Sequence, residues 1–128
     1  MNEEITKRFF KQYKKLFQPA KIRNNPQMSC MAWGFECGDG WAELIEDMFK
    51  EIEDHITKNK IKGFHFDQIK QKFGGLRAYT NFEDDVIRDI IRKAEDRAYH
   101  TCENCGAPGK IREGGWITCL CDKCAQPK

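Results

Sequence analysis

An α+β fold is what this sequence predicts: three helices packed on a small antiparallel β-hairpin, closed by a C-terminal four-cysteine ribbon. Apolar residues recur at helical spacing in three separate stretches. Two alternating segments meet at Gly74-Gly75, and the chain beyond residue 101 carries two Cys-x2-Cys pairs. The expected organisation is an α+β core over 1–100 and a ribbon appendage over 101–128.

The first stretch is Ile5, Phe9, Phe10, Tyr13, Leu16 and Phe17, with lysines between and Pro19 as its stop. Residues 18–29, with Pro19, Asn24, Asn25 and Pro26, read as a loop. Met31, Trp33, Phe35 and Cys37 alternate as in a short strand or an extended buried segment. Asp39 precedes the second helical run, Trp41, Leu44, Ile45, Met48, Phe49, Ile52 and Ile56, which Asn59 and Gly63 end. An Asp in that place is an expected N-cap, since its carboxylate accepts the free amide hydrogens of the first turn.

Phe64 and Phe66 alternate, Ile69 and Phe73 follow, and Leu76-Arg77-Ala78-Tyr79-Thr80 lies beyond the glycines. Two antiparallel strands joined at a tight turn account for this, because glycine tolerates positive φ. Thr80 or Asn81 is expected to cap the third helix, with Glu83 in capping-box register to Thr80. That helix shows Val86, Ile87, Ile90, Ile91, Ala94 and Ala98 on one stripe.

Composition narrows the classes of function. The chain has 128 residues, 12% aromatic, with three Trp and nine Phe, which argues against disorder. Its 22 basic and 20 acidic residues leave a net charge of +2. That is not the basic stripe expected of a duplex-binding protein. The N-terminus opens Met-Asn-Glu-Glu, and no stretch reaches the roughly 18 apolar residues of a membrane span. Seven cysteines, an odd number, suit a metal site in a reducing compartment better than a disulfide framework. A cytoplasmic protein is the expectation.

Cys102-x2-Cys105 and Cys121-x2-Cys124 lie fifteen residues apart. Two residues between thiolates form a knuckle that brings both sulfurs to one tetrahedral ion, and two such pairs match a four-cysteine ribbon holding one Zn2+. Four thiolates leave no position for water, so the expected zinc is structural. Cys119 could replace Cys121 as a ligand, though its spacing to Cys124 is longer. His100 is a further alternative, with a role at the end of the third helix as the simpler reading. Cys30 and Cys37 lack a second pair and read as small buried apolar residues.

Several strings carry a resemblance. Cys37-Gly38-Asp39-Gly40-Trp41, Gln68 through Tyr79 with its Lys72-Phe73-Gly74-Gly75-Leu76-Arg77 centre, Cys102-x2-Cys105-Gly106 and Gly115 through Cys121 occur in this order. Over residues 35–124 the chain resembles a group of small proteins of phages and prophages. Cys119 departs from the pattern, where Thr is usual, and the first thirty residues lie outside it. The resemblance implies a viral or prophage origin, hence the cytoplasm of a host cell, and brings no activity with it.

The hairpin holds the candidate ligand group. Lys70 and Lys72 share a face, as do Arg77 and Tyr79, because strand side chains alternate. If both sets share one face, three cations and a ring converge beside Gly74-Gly75, a setting for phosphate and a base. Trp41 and Trp33 would add stacking surface, although Trp41 also fits a core position. The leading expectation is a non-enzymatic protein that sequesters a nucleotide-derived host defence signal, a cyclic nucleotide or an ADP-ribose derivative. A ribbon adaptor is the second, contacting a host protein, or less readily nucleic acid, through Lys110, Arg112 and Trp116. A phosphodiesterase-type enzyme using Asp39, Glu43 or His65 is the third, without a recognisable catalytic motif. A homo-oligomer would suit a shared pocket.

Overall fold

The computed structural model describes residues 1–27 and 30–126, and of Ala20, Cys30 and Trp33 the backbone alone. The fold is α+β, with four helices and two small antiparallel sheets. Helix α1 runs Glu3–Gln12 and is capped by Asn2, whose side chain accepts from the Ile5 amide at 2.8 Å. It is shorter than its apolar pattern. The chain tightens into a 3-10 turn over Lys14–Leu16, which still buries Leu16 and Phe17.

The expected loop after it contains a short helix, α2 (Ala20–Arg23). Pro19 starts this turn, since its carbonyl accepts from Ile22 and Arg23, and a proline ahead of a helix sacrifices no amide. Of the two readings of Met31–Cys37, a short strand or an extended buried segment, the strand is corrected. A 3-10 turn occupies Cys30–Trp33, and Glu36 alone bridges to Lys70 in parallel. Met31, Phe35 and Cys37 are buried. The side chains of Cys30 and Trp33 lie outside the described residues.

Asp39 does not cap the helix that follows it. Its carboxylate turns back to Asn2, accepting from the backbone amide at 2.6 Å and from Nδ2 at 3.1 Å. Residues Asp39–Trp41 form a 3-10 turn, and α3 runs Ala42–Lys58 without a side-chain cap. Rings from α1, the segments around it, α3 and the hairpin interlock, with Phe9, Phe35, Phe49 and Phe66 at centroid distances of 5.3–5.6 Å. Such edge-to-face contacts add to the area they remove from water.

Strands β1 (Phe66–Lys72) and β2 (Gly75–Thr80) pair with Lys72 opposite Gly75, Lys70 opposite Arg77 and Gln68 opposite Tyr79. The connecting residues are Phe73 and Gly74, with φ of 53° and 80°. Two positive φ values are what a two-residue type I′ hairpin turn demands. Ile69 and Leu76 face the core.

Helix α4 (Asp85–Ala98) packs on α3, flanked by Lys93–Glu51 and Arg97–Asp47 ion pairs, both at 2.7 Å. Its cap is Asp84, which accepts from Ile87 N at 2.8 Å, and not Thr80 or Asn81. Thr80 ends β2, and Asn81 closes the hairpin base by accepting from His65 N and donating to Gly63 O. Asp84 also meets Nε2 of His55 from α3 at 2.7 Å. The His55 contact, then the Ile87 amide, hold the Asp84 carboxyl below the usual carboxylate range.

A lowered folded-state pKa adds stability that is complete above the unfolded carboxylate range, near pH 4, and lost as pH falls through the folded value. Asp84→Ala is therefore expected to cost about 1 kcal/mol at neutral pH. Urea titrations should show that difference shrinking as pH falls below about 4.

The C-terminal segment forms β3 (Lys110–Arg112) and β4 (Thr118–Leu120), paired antiparallel. It is stitched to the core and does not hang from it. Trp41 Nε1 donates to Thr101 O at 2.9 Å, Gly40 N to Glu103 O at 2.7 Å, and Gly38 N to Glu103 Oε2 at 2.8 Å. Gln71 Nε2 donates to Ile117 O at 3.1 Å. Among the described residues no helix is long and apolar enough to cross a membrane.

Candidate metal centre and the hairpin cleft

Cys102 lies four residues beyond the end of α4, where its amide donates to Ala107 O at 2.7 Å and its carbonyl accepts from Gly106 N at 2.9 Å. Gly106 turns the first knuckle at φ 82°, a left-handed angle that glycine takes without strain. Cys121 leaves β4, and the Ala125 amide closes the second knuckle on its carbonyl. The Sγ atoms of Cys102, Cys105, Cys121 and Cys124 all lie within 4.8 Å of one another. Four sulfurs around a tetrahedral ion with ~2.3 Å bonds would sit about 3.8 Å apart. The cluster therefore fits one metal ion.

Its electrostatics favour thiolates at Cys102 and Cys121 and oppose one at Cys105. Burial pushes the Cys102 thiol up, but the backbone amides of Cys121, Cys105 and Asn104 outweigh it and bring it down to about 6. The Cys124 amide lowers Cys121, and Asn104 Nδ2 donates to Cys124 Sγ at 3.3 Å. Cys105 is pulled down by the Ala107 amide yet pushed up further by Cys102 and Cys121, to about 11. Crowded thiols cannot all ionise unless a cation joins them.

The open alternatives resolve. Cys119 is buried and its thiol donates to Tyr99 O at 3.2 Å, so it belongs to the core and not to the cluster. Burial raises its pKa. His100 is exposed and serves through its backbone, donating to Arg97 O and accepting from Gly109 N. Cys37 is a buried thiol whose pKa burial raises to about 12.

The hairpin register places Gln68, Lys70, Lys72, Gly75, Arg77 and Tyr79 on one face. Their fates differ. Arg77 is committed to Tyr99 Oη at 3.3 and 3.4 Å and to Leu76 O at 2.9 Å. Lys70 and Lys72 take part in no ion pair among the described residues, and Tyr79 is 44% exposed. Gly74 and Gly75 are buried; a Cβ on them would meet Ile111 Cδ1 and Tyr99 Oη, each at 2.7 Å. These glycines admit neighbouring side chains, not a ligand. Trp41 is corrected as a stacking surface: it is 0% exposed, with both faces in the core.

What sequence reasoning passed over lies at the turn. Phe73 (68% exposed) and Trp116 (79% exposed) line one cleft of about 320 Å³ with Gln71, Lys72, Gly115 and Ile117. Neither ring is paired with another ring among the described residues, and Lys72 Nζ stands 5.7 Å from the Phe73 centroid. Trp116 was legible as a ribbon-loop residue, Phe73 only as part of a strand. The signal was a phenylalanine where a type I′ turn calls for Asn, Asp or Gly. Phe73→Asn is expected to raise stability by about 1 kcal/mol, read as an upward shift in melting temperature. A residue held at an unfavourable angle to show its ring to solvent points to use of that ring.

Of the other candidates, Arg112 is bound to Asp122 at 2.7 Å, while Lys110 is exposed. Asp39 serves Asn2, Glu43 is exposed in the first turn of α3, and His65 Nδ1 lies 3.0 Å from Asp67 Oδ1, a pair only when the ring is protonated. These three have separate engagements and form no acid–base pair with each other. Comparison with protein-family models, curated proteins and solved structures finds no match to this chain.

Proposed function

We propose that this is a non-enzymatic, zinc-stapled binding protein that captures a nucleotide-type ligand in the Phe73–Trp116 cleft. The observation that carries it is two exposed aromatic rings, neither packed on another ring among the described residues, beside Lys72, with Lys70 behind. Base faces stack on such rings, and an unpaired lysine meets a phosphate. The ligand site thus moves from the flat hairpin face to its turn, keeping Lys70 and Lys72.

An all-thiolate tetrahedral set suits zinc, which is closed to water there and so structural. Its role is to hold the loop that carries Trp116 against the hairpin. A phage or prophage protein that sequesters a nucleotide-derived defence signal in a host cytoplasm is the biological setting we propose. Calorimetry with cyclic nucleotides and ADP-ribose derivatives tests it: binding lost in Trp116→Ala supports the reading, and no heat at high micromolar protein sinks it.

The exposure of Trp116 also favours a second reading, an adaptor that seats this ring in a host protein. Capture of a partner by the wild type and by Trp116→Ala alike would count against that.

A further inference from the structure

The hairpin face continues beyond the cleft. The cleft of Phe73 and Trp116 includes Lys72, and from Lys72 the hairpin face runs on to Lys70 and then to Tyr79 opposite Gln68. At about 3.4 Å per strand residue, the five steps from Gln68 to Phe73 span at most roughly 17 Å. A mononucleotide reaches one end of such a track. An extended strand advancing about twice the 3.4 Å stacked rise per nucleotide crosses it in about three steps.

We propose that the occupant is a short single strand of nucleic acid, its bases on Trp116, Phe73 and Tyr79 and its phosphates passing Lys72 and Lys70. This rests on the nucleotide reading above and names the class of ligand. Aromatic rings separated by unpaired lysines are the elements of sequence-tolerant single-strand binding. Two acids border the middle of this face: Glu36, which bridges beside Lys70 and accepts from Gln68 Nε2 at 3.3 Å, and Glu95, which acts on Arg77. Lys72, opposite Gly75 at the cleft end, stands clear of them and is the lysine that draws a phosphate first. A duplex hides its base faces, and a net charge of +2 offers little for tracking two backbones.

The test is titration of the metal-loaded protein with unlabelled four-nucleotide DNA and RNA strands and with mononucleotides, followed by calorimetry and tryptophan fluorescence. The tetranucleotide should bind at least about ten-fold tighter than the mononucleotide and quench Trp116. Trp116→Ala and Tyr79→Ala should each weaken it by roughly ten-fold, with melting temperatures unchanged because both side chains are exposed. Phe82→Ala, an aromatic 45% exposed off this face, should bind as wild type. Two neutralised phosphates predict a slope of about −1.4 in log affinity against log salt.

Equal affinity for mononucleotide and tetranucleotide, still sensitive to Trp116→Ala, would overturn the single strand and keep the nucleotide cleft. An unaffected Tyr79→Ala would likewise overturn the track. Binding of neither probe, with no quenching, would remove both readings.

Discussion

Chelating the metal is expected to loosen the core around Gly38–Trp41 together with the cysteine segment. Structural zinc in small sites supplies on the order of 10 kcal/mol of folding free energy at neutral pH. The ribbon has little else of its own: of its residues only Cys102 and Cys119 are fully buried, among those described. Next to the first knuckle its attachments are to Gly38, Gly40 and Trp41, through Glu103 and Thr101, with Gln71 and Tyr99 holding the β4 side. When the knuckle opens, those donors lose their acceptors, and buried unpaired amides are costly. Hydrogen exchange should therefore speed up at the Gly38 and Gly40 amides and at Trp41 Nε1 on adding chelator, and the melting temperature should fall. Faster exchange confined to 102–124, with Gly40 still protected, would show that the ribbon folds apart from the core.

Gly40→Ala should approach the same damage from the opposite side. An added Cβ would stand 2.1 Å from Cys102 O, 2.6 Å from the Glu103 carbonyl carbon and 2.6 Å from Gly106 N. All three are backbone atoms, so no side-chain rotation relieves the clash. The expected cost is about 3 kcal/mol or more in urea denaturation, with a metal lost more readily to a competing chelator. At Gly114 a Cβ would meet nothing within 4 Å, and only its positive φ resists substitution. Gly114→Ala should therefore leave metal retention unchanged, which separates packing on the knuckle from general destabilisation.

Three of the four helices, the hairpin and the cysteine cluster were legible because each is written in local periodicity or spacing; α2, four residues long, is too short to show a period. The caps were not. Asp39 has the right chemistry one turn before α3, but Asn2, distant in sequence, claims its carboxylate. Thr80 satisfies the capping-box pattern, yet β2 extends through it and leaves the cap to Asp84. Met31 through Cys37 alternate without forming a strand, because a 3-10 turn followed by a single bridging residue buries Met31, Phe35 and Cys37 without one.

Trp41 sits at helical spacing, and that spacing told more than its value as a stacking ring. The shared face of Lys70, Lys72, Arg77 and Tyr79 followed from alternation once the turn was placed. The commitment of Arg77 to Tyr99 could not, because it depends on where the end of α4 lands. The cleft was hidden for the same reason: Phe73 and Trp116 meet only after the ribbon docks on the turn.

The docking of the knuckle on Gly38–Trp41 also governs how the chain can be made. Asp39, in the middle of that stretch, holds Asn2 at the start of α1, while Gly38, Gly40 and Trp41 wait for residues 101–103. A ribosome delivers α1, α3 and the hairpin long before these closing partners. Contacts this far apart in sequence form late, and the phenylalanine cluster stays vulnerable to aggregation in the interval. Closure of that stretch therefore depends on the knuckle, and metal supplied during synthesis is expected to raise the yield of folded chain.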